Sequence, residues 1–354
     1  MKSDDLYLRS TSVNDLYPKA LLPQTTLHPP TENYRIVSFL NDFRGFWTLF
    51  CGLVESAVYL PKLCFIGLVV GFLAGLIYPQ NRSLEDLEDL REATVLITGA
   101  SMGVGEHLAY LFASRGVKLF LTSRSEKRLR EVAAHCERLG ASKVYYEMAN
   151  MVNTTNIEEI TKAASTKFNN RLDFLILNHA LPTRASFWHG KNQDVDDLNL
   201  FLQVNFVSYA QLTSSFLPVL KVSRGRVVAI SSILARHPFP HFLINSVTKS
   251  ALESFFVGLR QELAARRDKV SVTLALLGSP ISQRKRVNHH DLSSIFNQDP
   301  WNETAECIIF GAYDRSREVF CPQWLVYPFS VVLNVPFFRP MLEKFLAFYL
   351  EKNY

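Results

Sequence analysis

The stretch Thr98-Gly-Ala-Ser-Met-Gly-Val-Gly105 separates an apolar run from a run with helical character. The apolar run covers residues 93–97, and the helical run covers residues 106–114 and is closed by Gly116. This order predicts a strand, a glycine-rich turn and a helix. Glycines let backbone N–H groups approach a phosphate at the positive end of a helix dipole. The spacing Gly-x-x-x-Gly-x-Gly therefore indicates a phosphate-binding turn, although an ordinary strand–helix turn is the alternative.

Strand-like and helix-like segments alternate along the chain after residue 92. This alternation predicts an α/β fold, in which helices cover both faces of a doubly wound parallel sheet. We expect one Rossmann-like domain over residues 93–322. In this fold a dinucleotide lies across the carboxyl ends of the strands. The predicted strands are 93–97, 117–122, 144–146, 172–177, 226–231, 270–277 and 319–321, and the predicted helices are 106–114, 126–139, 157–168, 195–220 and 246–265.

The first 92 residues divide into segments of different composition. Residues 1–44 are polar and contain four prolines, which predicts a disordered tail. Residues 45–79 form a predicted membrane anchor. Within it, residues 57–78 carry no charge except Lys62 and are long enough for one transmembrane helix, with a buried core helix as the alternative. Residues 80–92 form an acidic linker to the domain.

A glycine ridge marks the predicted span, because Gly67, Gly71 and Gly75 fall four residues apart on one helix face. Such a ridge lets a second helix approach closely in lipid, so a homodimer and the lipid bilayer are predicted partners. Basic residues are balanced on the two sides of the span and do not orient it. Three glycosylation sequons follow the span and are usable only if that side is lumenal; they begin at Asn81, Asn153 and Asn302.

The last segment, residues 323–354, is rich in Phe, Leu, Val and Pro. Pro328, Pro336 and Pro340 prevent it from crossing a bilayer as one helix. Residues 342–350 have the pattern of a short amphipathic helix. Four roles remain open for this extension: a cover for a substrate pocket, a contact with the membrane, a contact with a second subunit, or a core helix.

Composition excludes some classes of site. The net charge of the 354-residue chain is +5, and its basic residues are dispersed apart from Arg284-Lys285-Arg286. No aromatic platform accompanies that triplet, so nucleic acid is not a predicted partner. The five cysteines contain no Cys-x-x-Cys pair, so neither a disulfide framework nor a metal site is expected.

The residues after the second predicted strand, Ser123-Arg124-Ser125, bear on the choice of cofactor. A carboxylate at this place would bind the ribose hydroxyls of NAD(H). Arg124 instead offers a planar cation to a 2′-phosphate, and Ser101 in the glycine turn adds a hydroxyl donor. The sequence therefore predicts NADP(H), with an ordinary surface arginine as the alternative.

Five short segments resemble motifs of the short-chain dehydrogenase/reductase family. They are the glycine turn, Leu177-Asn-His-Ala180, Val204-Asn-Phe206, Ile230-Ser-Ser232 and Leu277-Gly278. The similarity covers residues 91 to 286 approximately and is strongest to membrane-anchored hydroxysteroid dehydrogenases of the endoplasmic reticulum. The resemblance implies a similar location and an oxidoreductase that acts on the alcohol or ketone of a hydrophobic, steroid-like molecule.

The resemblance also implies roles for particular residues. By family spacing, Asn205, Ser232 and Lys249 are catalytic, while the position of the catalytic tyrosine is taken by Asn245. Many NADP-preferring members carry a basic residue where this chain has Met102. The implied cofactor-binding residues are Gly99, Ser101, Met102, Gly103, Val104, Gly105, Arg124, Asn178 and Lys249.

The identity of residue 245, Asn245, determines which functional hypothesis the sequence favours. A carboxamide can donate a hydrogen bond to a carbonyl, but it cannot deliver a proton at neutral pH as a phenol can. His241, four residues earlier, titrates in the right range but is expected to be a loop residue. The first hypothesis is an NADP(H)-dependent oxidoreductase. The second is an inactive, cofactor-binding sensor or interaction partner, and the third is a membrane scaffold.

Overall fold

Seven parallel strands form a sheet with the order β3-β2-β1-β4-β5-β6-β7. The computed structural model describes residues 87, 90–182, 186–278, 300–321, 326 and 330. Every pair of neighbouring strands runs parallel. The predicted doubly wound sheet is therefore confirmed. The strands are β1 (Thr94–Thr98), β2 (Lys118–Ser123), β3 (Lys143–Met148), β4 (Phe174–Leu177), β5 (Arg226–Ser232), β6 (Ser271–Leu277) and β7 (Glu318–Cys321).

Helices connect the strands and cover the sheet. A π-helical segment, Gln203–Val207, joins the fourth described helix to the fifth, and a short 3-10 turn, Ile233–Ala235, follows β5. The helices are α1 (Val104–Ala113), α2 (Glu126–Arg138), α3 (Thr154–Lys167), α4 (Asn192–Leu202), α5 (Ser208–Ser223), α6 (Leu243–Ala265) and α7 (Pro300–Tyr313).

Alternate residues of each central strand face opposite layers, as the two-residue period of a strand requires. In β1, Val95 and Ile97 pack with α1, α2 and α7, whereas Leu96 packs with α3, α5 and α6. All five residues of β1 are buried. Apolar layers therefore cover both faces of the sheet, and the carboxyl ends of its strands lie between them.

Two helical features differ from the sequence prediction. The predicted helix 195–220 is divided by the π-helical segment, which periodicity alone does not reveal. Helix α7 was not predicted, although its buried residues Ala305, Ile308, Ile309 and Ala312 follow the helical spacing of three and four. Pro300 at its first position is compatible with a helix start, because that residue needs no N–H partner.

Helix α7 is covalently joined to the edge of the sheet. Cys307 in α7 and Cys321 in β7 form a disulfide, with their Cα atoms 6.1 Å apart. The expectation that the cysteines form no disulfide was therefore wrong. Cysteines separated by fourteen residues become neighbours because the chain turns back from α7 into β7. Cys136 in α2 is buried and free.

The predicted tail, residues 1–44, and the predicted membrane anchor, residues 45–79, lie outside the described residues. The same is true of most of the linker, the triplet 284–286 and nearly all of the extension 323–354. Within the described part of the chain, no helix is both long and apolar enough to cross a membrane. The span at 57–78 stays a prediction.

Candidate active site

The glycine turn lies at the carboxyl end of β1, where close packing requires glycine. Gly99 and Gly103 have positive φ angles of 67° and 60°. A Cβ atom on Gly99 would lie 2.8 Å from the Cα of His179, and one on Gly105 would clash with the Gly99 carbonyl and the Asn178 amide. The turn is therefore a tight backbone cradle at the start of α1, which suits a phosphate.

Asn178, directly after β4, holds this cradle in shape. Its Nδ2 donates to the carbonyl oxygens of Thr98, at 3.2 Å, and Gly99, at 3.1 Å. Its backbone N–H donates to the Thr98 hydroxyl at 3.0 Å. The sequence predicted Asn178 as a cofactor-binding residue. In the structure, its side-chain amide donates hydrogen bonds to backbone carbonyls of the glycine turn and so stabilises the turn.

His179 connects the cradle to α5, a role that the sequence did not predict. Its Nδ1 lies 2.8 Å from the Thr98 hydroxyl, and its Nε2 lies 2.7 Å from the Ser208 hydroxyl. Burial, with the nearby Lys249 ammonium second, lowers the pKa of His179 to about 3. The ring is therefore neutral at physiological pH and links β1, β4 and α5 as a structural element.

The end of β2 lies beside the glycine turn. The Ala100 N–H donates to the Thr122 carbonyl at 3.2 Å, which ties the turn to β2 just before Arg124. Arg124 itself is exposed. Met102 is half exposed, and the Nη1 of Arg128 lies 3.7 Å from its sulfur. Sequence reasoning missed Arg128, which reaches back from the first turn of α2 to the glycine turn.

Asn205 lies in the π-helical segment between α4 and α5 and is fully buried. Its Oδ1 accepts a hydrogen bond from the Leu181 N–H at 2.9 Å. Its Nδ2 has no hydrogen-bond partner within the described part of the chain. Since π-helical turns concentrate at functional sites and a buried amide without a partner is costly, this group is suited to a water or ligand.

Ser232, Asn245 and Lys249 come from β5 and α6. Ser232 ends β5, and its Oγ accepts a hydrogen bond from the Leu234 N–H at 3.3 Å. Asn245 and Lys249 are four residues apart, so they share one face of α6. Lys249 donates to the Ile230 carbonyl at 2.6 Å. Burial lowers the pKa of Lys249 to about 8, against the opposing effect of Glu253.

A cavity of about 450 Å³ joins two of the predicted positions, because both Arg124 and Asn245 line it. Much of its wall is apolar, including Phe187, Trp188 and Phe201. His241 also lines it, with its ring 4.0 Å from that of Phe187, centroid to centroid. The arrangement provides one continuous cavity between the end of β2 and the start of α6.

Two further contacts, not predicted from sequence, border the site. A Cβ on Gly103 would lie 3.9 Å from the Trp301 ring, so the first turn of α7 lies beside the glycine turn. A Cβ on Gly278, just after β6, would collide with the side chain of Val326. Val326 therefore packs against the carboxyl end of β6, and the cradle lies at the carboxyl end of β1 in the same sheet.

Comparison with known proteins agrees with this geometry. The family model described as short chain dehydrogenase matches residues 93–286. The Hydroxysteroid 11-beta-dehydrogenase 1-like protein of Xenopus tropicalis is 34% identical over 297 residues, which cover 84% of this chain and 98% of that protein. The protein of the same name from Macaca fascicularis is 41% identical over 237 residues, which cover 67% of this chain and 81% of that protein.

Solved structures show the same fold. A metagenomic short-chain oxidoreductase in complex with NADP matches with a TM-score of 0.54 and 20% identity, over 65% of this chain and 96% of that one. The NADH-dependent reductase A1-R′, responsible for alginate metabolism, matches with a TM-score of 0.55 and 19% identity, over 66% of this chain and 98% of that one. With its cradle, its parallel sheet and these similarities, the chain belongs to the short-chain dehydrogenase/reductase family.

Proposed function

We propose that the chain is a membrane-anchored oxidoreductase that binds NADP(H) and interconverts the alcohol and ketone of a hydrophobic, steroid-like substrate, with slow turnover. The observation that carries this proposal is the continuous cavity between Arg124 and Asn245. Its lining includes Arg124, which is suited to a 2′-phosphate, and Asn245, which lies one helical turn before Lys249 in α6. A nicotinamide cofactor would supply the hydride.

The chain's own residues have separable tasks in binding this cofactor. The cradle that includes Gly99 and Gly105 would hold the pyrophosphate by backbone N–H groups. Arg124 would pair with the 2′-phosphate as a planar, charged donor. Lys249, held at Ile230, would donate to the nicotinamide ribose. Two observations support the fit: a Cβ on Gly105 would fill the cradle, and the buried Asn205 Nδ2 has no partner among described residues.

Proton transfer is the part of the reaction for which the site lacks its usual group. The Ser232 hydroxyl would donate to the substrate oxygen, but the Asn245 carboxamide cannot release a proton to it. Tyr209 does not substitute, because its hydroxyl is buried and donates to the His179 carbonyl at 2.6 Å. Loss of a positioned general acid typically lowers the rate by about 10²–10⁴-fold. We therefore expect hydride transfer to continue slowly.

The apolar cavity supports a hydrophobic substrate. Phe187, Trp188 and Phe201 would contact a flat hydrocarbon skeleton and remove its surface from water. The names of the similar frog and macaque proteins point to hydroxysteroids, and we extend that substrate class to this chain as part of the proposal.

The alternative is a cofactor-binding protein without turnover, a sensor or interaction partner. Asn245 favours this alternative, since it removes the proton donor at one step. The buried Asn205 argues for the oxidoreductase, because a buried amide nitrogen without a partner among the described residues is costly to keep unless a water or ligand binds it.

Location and assembly are also part of the proposal. A single span at residues 57–78 would anchor the chain in the endoplasmic reticulum membrane, and the ridge of Gly67, Gly71 and Gly75 would pair two copies. The disulfide between Cys307 and Cys321 supports an oxidising compartment, and for that reason we include a lumenal catalytic domain in the proposal.

The test is a fluorescence titration of the full chain in detergent with NADPH and with NADH, followed by NADPH consumption with a panel of apolar ketones. We expect tighter binding of NADPH, loss of that preference in Arg124→Ala, and slow consumption with at least one ketone. Failure to bind either nucleotide would contradict the cofactor assignment. Tight binding with no consumption on any ketone would favour the inactive alternative.

A further inference from the structure

We infer that Arg128 is a second specificity residue for the 2′-phosphate of NADP(H), and that it compensates for the uncharged Met102 in the glycine turn. This inference rests on the proposed cofactor. The preference for NADP(H) over NAD(H) would then come from two arginines: Arg124, just before α2, and Arg128, in the first turn of α2.

The position of Arg128 follows from two contacts. The Ala100 N–H bond to Thr122, at 3.2 Å, keeps the glycine turn beside the end of β2. Arg128 is the third residue of α2, and its Nη1 lies 3.7 Å from the Met102 sulfur. The guanidinium therefore spans the gap between α2 and the turn. The 2′-phosphate of a dinucleotide whose pyrophosphate lies in the cradle would enter this gap, since Arg124 follows β2 there.

The guanidinium is available for an anion. Arg128 is exposed and forms no salt bridge with any residue that the structure describes. A thioether is a weak acceptor, so a phosphate oxygen would replace Met102 at little cost. By contrast, Arg130 on the same helix is held by Glu126 at 2.9 Å.

The local charge also favours a dianion. Glu126 is the acidic residue of the first turn of α2, and its carboxylate is paired with Arg130. Ser125, at the N-cap, makes no side-chain bond to the helix, so the first N–H groups of α2 are not capped by it. Two arginines near a phosphate give charge-assisted bonds that NADH, which lacks the phosphate, cannot use.

The experiment compares the dissociation constants of NADPH and NADH for the full chain in detergent, by fluorescence titration, across single variants. We expect Arg128→Ala to weaken NADPH about 10-fold, as for an exposed charge-assisted bond, and to leave NADH unchanged. Arg128→Lys should retain part of the affinity. The matched control is Lys127→Ala, which removes the same charge from the neighbouring residue, about 100° around the helix.

The outcomes separate this inference from the proposed function. If the unmodified chain binds NADPH and Arg128→Ala binds it equally well, the role of Arg128 is refuted and the cofactor assignment stands. Equal weakening of NADPH and NADH would also overturn the inference, because it would show an effect on the turn and not on the phosphate. If Lys127→Ala weakens NADPH as much as Arg128→Ala, the effect is general electrostatic attraction and the inference is wrong. If the unmodified chain binds no NADPH, the proposed function fails first.

Discussion

The Nζ of Lys249 donates to the carbonyl oxygen of Ile230 at 2.6 Å. This bond joins α6 to the carboxyl-terminal end of β5, two residues before Ser232. Because Asn245 lies one helical turn before Lys249, the same bond fixes the position where the family carries its tyrosine. The bond therefore holds this part of α6 against β5, and Asn245 stands where the family carries its tyrosine.

Replacing Gly105 with alanine is expected to abolish nucleotide binding. The added Cβ would collide with the Gly99 carbonyl and with the Asn178 amide, which together shape the cradle. The matched control is Gly258→Ala in α6, where the added Cβ would meet no described atom within 4 Å apart from its chain neighbours and the backbone of its own helix. This control should raise stability by about 1 kcal/mol through helix propensity. Fluorescence titration and thermal unfolding measure the two effects. Normal NADPH binding by Gly105→Ala would refute this account of the cradle.

The partly buried Lys249 gives stability a defined pH dependence. Burial lowers its pKa to about 8 from the ordinary 10.5, so the folded chain binds fewer protons than the unfolded chain between these values. Stability therefore rises with pH across that window, and the cost of burying the ammonium is fully present below pH 8.

We expect the free energy of unfolding of the unmodified chain to rise, relative to Lys249→Met, by about 3 kcal/mol at most from pH 8 to pH 10.5. Urea unfolding of both proteins at several pH values measures this difference. Parallel pH profiles for the two proteins would show that Lys249 is not the titrating group.

The disulfide predicts sensitivity to reductant. Removing a crosslink that closes a loop of this length typically costs about 3 kcal/mol. We expect dithiothreitol to lower the thermal midpoint of the unmodified chain, and Cys307→Ser to show the lowered midpoint without reductant. Mass spectrometry after thiol alkylation should find Cys307 and Cys321 unlabelled in chain isolated from cells. Full labelling of both would contradict the bond and remove its support for an oxidising compartment.

Local sequence signals predicted the frame of the molecule well. Runs such as 93–97 and 270–277 are buried strands because both sheet faces are covered, which leaves a continuous apolar pattern in the sequence. The glycine turn was readable for a similar reason, since its backbone geometry admits no other residue at Gly99. Each of these signals depends on the local structure at the residues that carry it, so it can be recognised without knowledge of the rest of the fold.

Contacts between segments that are distant in the chain could not be predicted from the sequence. Arg128 reaches Met102 across 26 residues, and the packing of His179 against Ser208 joins two different elements. The bond between Cys307 and Cys321 depends on the packing of α7 beside β7, and the apolar spacing of α7 in the sequence does not report that packing. Side chains that act across the fold leave no periodic pattern in the sequence.

We propose above that this site binds NADP(H) and lacks a proton donor, because Asn245 stands at the tyrosine position. The direct measurement is the single-turnover oxidation of bound NADPH by an apolar ketone in the unmodified chain, in Asn245→Tyr and in Asn245→Phe. We predict that Asn245→Tyr accelerates the step by about 10²–10⁴-fold at similar NADPH affinity. Asn245→Phe, which adds the ring without the hydroxyl, should give no acceleration. An unmodified chain that reacts as fast as Asn245→Tyr would contradict the account.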